Sequence, residues 1–409
     1  MLNIIWIFFF TTAFIVALIK LFAFGDTEIF GQLMTAMFSL SKTAFEISLG
    51  LTGILALWLG IMRIGERSGF IDLLTRGLSP LFSKLMPEVP KNHPALGAMV
   101  MNISANALGL DNAATPLGIK AMKELQKLNP FKESASNAQI LFLVINTSAV
   151  TLFPVTIFTY RAQMGAVNPT DVFIPILIAT YASTLVGLLA VASIQKINLL
   201  DRVILSYLGG FTLLIIGLLS YFANLPQADM IAQSALISNV ILFSLVMLFI
   251  SGAVIKKVNA YEAFIDGAKE GFETAITIIP YLVAMLVAIG VFRASGALDL
   301  LAGGLRQLVL AMNVDDRFID ALPTALMKPF SGSGARAMMV DTMQVYGADS
   351  FAGRLSSIVQ GSTETTFYVL AVYFGSVGIK NIRHAAACGL AADIAGIIAA
   401  IFVAYWFFG

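Results

Sequence analysis

A chain of 409 residues that is 58% hydrophobic and only 12% charged, with a mean hydropathy of +0.87, has about half the charge of a soluble domain, which excludes a freely soluble protein. Its net charge of +1 offers no basic surface, and Lys and Arg fall in short clusters between apolar runs, so nucleic acid is excluded as a partner. The single cysteine, Cys388, lies in an apolar stretch; internal disulfides and thiolate metal sites are ruled out, and a buried inert thiol is expected.

The first apolar run, Leu2 to Phe24, is longer than a signal-peptide core and lacks a basic leader or a small-x-small cleavage site, so it is expected to be a retained span of a chain beginning at Met1. Runs of roughly 18 apolar residues cross a bilayer, and they occur at 3–24, 44–62, 172–194, 203–223, 230–254, 274–292 and 385–408. Residues 138–160 and 355–379 are long enough but dense in Asn, Thr, Ser and Gln, the second carrying Glu364, and read as spans broken midway. Residues 94–127 and 319–343 place Gly, Pro and charge where a lipid-facing helix would not tolerate them, and read as re-entrant hairpins. Ser68 to Lys84 and Ser295 to Met312 open with Ser-Gly and are amphipathic, as helices lying in the interface are. Arg63, Arg67, Arg76, Lys84 and Lys91 after the second span, with Lys196, Arg202, Lys256 and Lys257 later, predict a bacterial inner-membrane protein with these loops and the N-terminus cytoplasmic.

The chain repeats itself. An offset of 227 pairs Lys42, Phe45, Glu46, Leu55 and Leu59 with Lys269, Phe272, Glu273, Leu282 and Leu286. It also pairs Ser68, Gly69, Asp72, Leu73, Leu74, Gly77, Leu78 and Leu81 with their counterparts from Ser295 to Leu308. That is thirteen identities over positions 42–81, where composition alone would give ~four. An offset of 214 pairs Ser148, Thr151, Phe153 and Val155 with Ser362, Thr365, Phe367 and Val369. Residues 1–198 are therefore expected to form one repeat, 199–228 a linking helix and 229–409 the other. The odd linking span would insert the second upside down, so the fold class is an all-α polytopic membrane protein of two inverted-topology repeats with re-entrant or broken helices.

Four polar segments occupy matching places: Asn102 to Pro116, Asn146 to Thr151, Lys328 to Arg336 and Gln360 to Thr366. Helix breaks free amides for an anion and carbonyls for a cation, and Asn, Ser and Thr add neutral ligands. The expected binding residues are Asn102, Asn106, Asp111, Asn112, Thr115, Asn146, Ser148, Thr151, Ser331, Ser333, Arg336, Gln360, Ser362, Thr363, Glu364 and Thr365. An intramembrane carboxylate is a functional candidate by default, so Na+ or H+ near Asp111 or Glu364 is the expected coupling ion. Blander readings go to Glu46 and Glu273 at span starts, to Arg336 and Asp341 as a pair, to Asp393 as a buried partner of a neighbouring polar segment, and to Lys120, Lys123 and Lys127 beside Glu124 at a hydrated helix end. No GxxxxGK[ST] or HExxH occurs, His93 and His384 stand apart, and Ser331-Gly-Ser-Gly lacks a nearby base, so neither an enzyme nor an organic cofactor is expected.

Asn106-Ala-Leu-Gly-Leu-Asp-Asn-Ala-Ala-Thr-Pro-Leu-Gly-Ile-Lys-Ala-Met122 closely resembles the spore maturation protein A family. Pro329-Phe-Ser-Gly-Ser-Gly-Ala-Arg336, Asp349-Ser-Phe351 and the run from Gln360 to Gly375 resemble spore maturation protein B, so the chain looks like the two fused. Both belong to the nucleoside-recognition, or Gate, family. That resemblance implies kinship with concentrative nucleoside transporters and the membrane part of ferrous iron transporters, hence inverted repeats, re-entrant hairpins and an elevator movement; the lack of a G domain and of soft ligands speaks against iron. The functional expectation is a cation-coupled secondary transporter of a small polar or anionic, nucleoside-like solute, with lipid, the solute and further copies of the chain as partners. The alternative is a non-transporting scaffold or receptor in envelope or spore maturation.

Overall fold

A computed structural model describes residues 2–90, 93–108, 111–148 and 151–409, without the side chains of residue 2 and residues 111–113. The helices in chain order are α1 (Leu2–Phe24), α2 (Ile29–Arg67), α3 (Phe70–Leu85), α4 (Pro94–Ala107), α5 (Asp111–Leu128), α6 (Asn137–Ser148), α7 (Val155–Gln163), α8 (Phe173–Gln195) and α9 (Arg202–Ala223). They continue with α10 (Gln227–Ile255), α11 (Ala260–Ala294), α12 (Ala297–Ala311), a 3-10 turn (Arg317–Ala321), α13 (Leu322–Met327), α14 (Gly332–Tyr346), α15 (Phe351–Ser362), α16 (Thr366–Gly375) and α17 (Ala385–Phe408). The only β pairing among the described residues is an isolated bridge between Ser134 and Asn381.

Seven of the described helices are long and apolar enough to cross a membrane: α1, α2, α8, α9, α10, α11 and α17. They coincide with the seven spans expected, so the protein is a multi-pass membrane protein. Two are longer than expected, because α2 and α11 run for 39 and 35 residues and extend well upstream of their apolar cores. Glu46 and Glu273, read as lying at span starts, stand where the apolar cores begin but inside continuous helices. The two polar spans are interrupted, α6 from α7 and α15 from α16, and the two irregular segments form the helical pairs α4–α5 and α13–α14.

Element boundaries follow the sequence repeat. Both α2 and α11 end, and both α3 and α12 begin, 227 positions apart, and α15 starts and stops 214 positions after α6. The corners between the paired helices are built alike. Ser68 donates to the Gly65 carbonyl and Ser295 to the Phe292 carbonyl, each at 2.8 Å. The next residues, Gly69 and Gly296, take φ of 77° and 85°, a left-handed conformation that costs a residue with a Cβ free energy and glycine almost none.

The centre of the molecule is the seam between α2 and α11, which run antiparallel: Leu40 packs at Gly290, Ala56 at Gly271, Leu59 at Gly267 and Gly60 at Phe264. A Cβ on Gly267 would stand 2.3 Å from the Leu59 carbonyl oxygen, and one on Gly271 2.6 Å from Ala56 Cα. Small residues at such contacts let backbones approach where lipid supplies no hydrophobic drive for helices to associate. One end of the seam is closed by ion pairs from Arg63 to Glu270 and from Arg67 to Asp266. Helices α8 and α17 are likewise antiparallel, with Gly187 against Ala392 and Ser183 against Gly396. Arg161, fully buried, ties the end of α7 to Asp171 at 2.8 Å and to Asp349 at 3.0 Å, and Arg354 adds a bond to Asp171 at 2.9 Å.

Candidate functional site

The helix interruptions of both halves meet at one place. The Leu152 amide donates to the Ala107 carbonyl at 2.9 Å, pinning the end of α4 to the first break; the Phe367 amide donates to the Pro329 carbonyl at 3.0 Å, pinning the α13–α14 turn to the second. The Glu364 amide reaches across to the Thr147 carbonyl at 2.7 Å, joining the second break to α6. Ser331 starts α14 as its N-cap, its hydroxyl accepting from the Gly334 amide at 3.0 Å, so the positive end of that helix faces the junction. Phe330 and Phe367 stack at 5.3 Å behind it.

These junctions enclose a cavity of about 1440 Å³, walled on one side by α2 and α11 and on the other by the breaks and turns. Eleven of the sixteen expected residues line it: Asn106, Thr115, Asn146, Thr151, Ser331, Ser333, Arg336, Gln360, Thr363, Glu364 and Thr365. Three do not. Asn102 is buried behind the wall, donating to the Ala114 carbonyl at 2.7 Å and to the Tyr373 hydroxyl at 3.2 Å. Ser148 and Ser362 end their helices with hydroxyls turned back onto the Ile145 and Val359 carbonyls, so these side chains do not line the cavity. Asp111 and Asn112 lie outside the residues whose side chains are described.

The expected Arg336–Asp341 pair does not form. Asp341, five residues further along α14, points to the other side of the helix and pairs with Arg293 of α11 at 2.5 Å. Arg336 has no ion-pair partner among the described residues and faces the cavity beside the start of α14. Several lining residues escaped the sequence reading. Tyr373 accepts from Asn102 and approaches Asn146 Oδ1 at 3.4 Å, while Asn106 donates to the same oxygen at 2.8 Å. Gly118 makes room for that tyrosine, since a Cβ there would stand 2.1 Å from its hydroxyl. Lys328 is buried with Nζ donating to the Gln360 carbonyl at 2.8 Å. On the opposite wall Glu270, Glu273, Thr274 and Thr277 form an acidic and hydroxyl-bearing stripe of α11 at helical spacing, a signal present in the sequence but masked there by the span-start reading.

The arrangement offers amides and Arg336 to a negative or electron-rich group, amide and hydroxyl side chains to a polar body, and carboxylates to a cation or amine. The nucleoside-recognition (Gate) family profile matches residues 48–164 and 275–380, two segments that begin 275 − 48 = 227 positions apart and together cover more than half the chain. The chain belongs to the Gate family. Among its relatives, spore maturation protein B of Bacillus subtilis (strain 168) is 52% identical over 155 residues, 38% of this chain and 85% of that protein. Spore maturation protein A of the same organism is 41% identical over 183 residues, 45% of this chain and 90% of that protein. This Gate protein thus joins counterparts of the two in one polypeptide, as the motifs indicated. No solved structure matches it. The two matched segments contain both helix breaks and both helical turns, so the cavity is made almost wholly of Gate sequence.

Proposed function

We propose that the protein is a secondary transporter that carries a small polar or anionic solute, nucleoside-like in size and polarity, by alternating access, and that it converts nothing chemically. The observation that carries this reading is one cavity assembled from four helix interruptions, two from each half, with Arg336, Glu364 and neutral amides and hydroxyls turned inward. Two features support inverted repeats: α2 and α11, equivalent by the 227 offset, run antiparallel, and so do α8 and α17. Repeats related in that way present the same pocket to opposite sides of a membrane by exchanging conformations. The glycine-packed α2–α11 seam suits the fixed body, and the turns and breaks suit the moving one. The basic residues after the second span orient the N-terminus to the cytoplasm of a bacterial inner membrane.

The test is uptake by the purified chain in liposomes, using a panel of nucleosides and small organic anions under sodium, proton or no gradient. Saturable uptake driven by one gradient is expected, with Glu364→Gln reducing it severely. Because Cys388 is the one native cysteine, a Cys388→Ala background carrying single cysteines at Thr115 or Thr277 allows membrane-impermeant thiol reagents to be applied from each side. Protection from both sides in turn is expected. Labelling from one side only, with no uptake under any gradient, would replace this reading with that of a fixed membrane receptor or scaffold.

A further inference from the structure

The break between α15 and α16 is backed by one face of α17. Gly389, Asp393 and Gly396 follow one another there at intervals of four and three residues, and so point the same way. A Cβ on Gly389 would stand 2.7 Å from Thr366 Cγ2; one on Gly396 would stand 2.6 Å from Thr363 Cγ2, 3.0 Å from Ser183 Cβ and 3.3 Å from the Ser362 carbonyl oxygen. The two glycines let the α17 backbone press against the break and carry Asp393 into it, where its side chain has no solvent exposure. The hydroxyls of Thr363 and Thr366 face that carboxylate. Neither they, nor the Ser183 hydroxyl, nor either carboxylate oxygen completes a hydrogen bond of ordinary geometry among the described residues. Buried polar groups are almost always satisfied, and oxygens gathered beside one buried carboxylate leave a shortage of positive charge.

The first half shows how the same junction is closed. There the Ser148 carbonyl, equivalent to that of Ser362, accepts from the hydroxyls of Thr184 at 3.0 Å and Thr180 at 3.4 Å, both on α8. On α17 it is Gly396, without a side chain, that approaches the Ser362 carbonyl, and no side-chain hydroxyl is seen to reach that carbonyl among the described residues. The second junction thus lacks the hydroxyl donors that the first receives from its packing helix, and has a buried carboxylate beside it instead.

We infer that Asp393, Thr363, Thr366, Ser183 and the Ser362 carbonyl form a binding site for a monovalent alkali cation. Hard cations take oxygen ligands from carboxylate, hydroxyl and carbonyl groups together. A single carboxylate balances a single charge, which favours a monovalent ion over a divalent one. The other charged groups whose fields reach Asp393 are Lys328 and Glu364, opposite in sign, and the Lys328 ammonium donates to the Gln360 carbonyl. Since Thr363 and Glu364 are neighbours on the break that also lines the cavity, an ion here fixes the backbone that presents Glu364. The role of coupling ion rests on the transport reading above; binding of the ion does not.

The experiment is thermal unfolding of the full chain in detergent, in sodium, potassium or choline chloride at constant ionic strength. A ligand of the folded state raises the midpoint with its own concentration, so sodium or potassium is expected to raise it saturably over choline. Asp393→Asn should remove the rise while melting in choline at or above the wild-type midpoint, and Thr366→Val should raise the cation concentration required by ~10-fold or more, as loss of one supporting group at a metal site does. Glu364→Gln should keep the cation response. The inference is overturned if neither alkali cation outdoes choline in the wild type, or if the response persists unchanged in both Asp393→Asn and Thr366→Val. A cation response without solute uptake in liposomes upholds the site and defeats the transport reading, while gradient-driven uptake without a cation response does the reverse.

Discussion

The two helix breaks occupy equivalent places, yet they differ in nearly every chemical respect. Between Ser148 and Val155 the described part of the first break is Thr151-Leu-Phe-Pro154, with Thr151 and Phe153 on the cavity and the preceding carbonyl satisfied from α8. Between Ser362 and Thr366 the second is only Thr363-Glu364-Thr365, and the hydroxyls of both threonines complete no hydrogen bond of ordinary geometry among the described residues. By the 214 offset Val150 holds the sequence position of Glu364. Duplication preserved the turn-and-break geometry, while charge and unsatisfied oxygens collected in one copy. Symmetry therefore belongs to the frame, and asymmetry to the ligand chemistry.

The frame gives the largest expected effect. Gly267→Val would drive a branched side chain into the Leu59 carbonyl and should cost ~3 kcal/mol or more, seen as a fall in melting temperature and in folded yield. Gly303→Ala, which meets nothing within 4 Å on α12, should be neutral or slightly stabilising. Equal stability of the two variants would remove the α2–α11 seam from its central place.

Charge in the second break comes next. Glu364→Gln should weaken uptake or solute affinity by ~10- to 100-fold, the usual cost of losing a charged hydrogen-bond partner, whereas Val150→Thr in the first break should change either far less. Similar losses in both would mean that the two breaks share the ligand evenly.

A smaller effect separates the networks behind the breaks. Tyr373→Phe deletes the hydroxyl between Asn102 and Asn146 and should cost ~1 kcal/mol of stability. Thr184→Val deletes one donor to the Ser148 carbonyl and should cost ~0.6 kcal/mol, with uptake and cation response intact. A change in the cation response of Thr184→Val would contradict the view that the first junction is closed.

The smallest effect lies outside the membrane. Hydrogen bonds from the Arg317 side chain and amide hold the Asp315 carboxyl down to about 2, against an ordinary 3.8. A depressed folded value means that its contribution is present above the ordinary value and is lost as pH falls from 3.8 towards 2. Arg317→Gln should shift the acid-denaturation curve upward slightly within that window, by an amount limited by solvent exposure.

Much of this protein was written in the linear pattern. Long apolar runs marked seven spans, because a segment so poor in charge can satisfy its backbone in lipid only as a helix. Ser-Gly at 68 and 295 marked the corners, because the left-handed turn there requires glycine. Asn, Ser, Thr and Gly within apolar runs marked the breaks, and most of the residues so named do line one cavity. Tertiary structure decided which side each polar group faces. Asn102, Ser148 and Ser362 lie off the cavity: Asn102 is held by the Ala114 carbonyl and the Tyr373 hydroxyl, and the two serine hydroxyls bond back to carbonyls of their own helices. Asp341 found Arg293 rather than Arg336, since five residues along a helix reverse the direction of a side chain. Asp393, read from the sequence as a buried partner of a neighbouring polar segment, is buried, and the approach of α17 to a break some thirty residues upstream decided which segment supplies its hydroxyl neighbours. Periodicity and composition are local properties and can be read from one strand of text; the company a buried carboxylate keeps depends on which helices touch, and that is settled by packing alone.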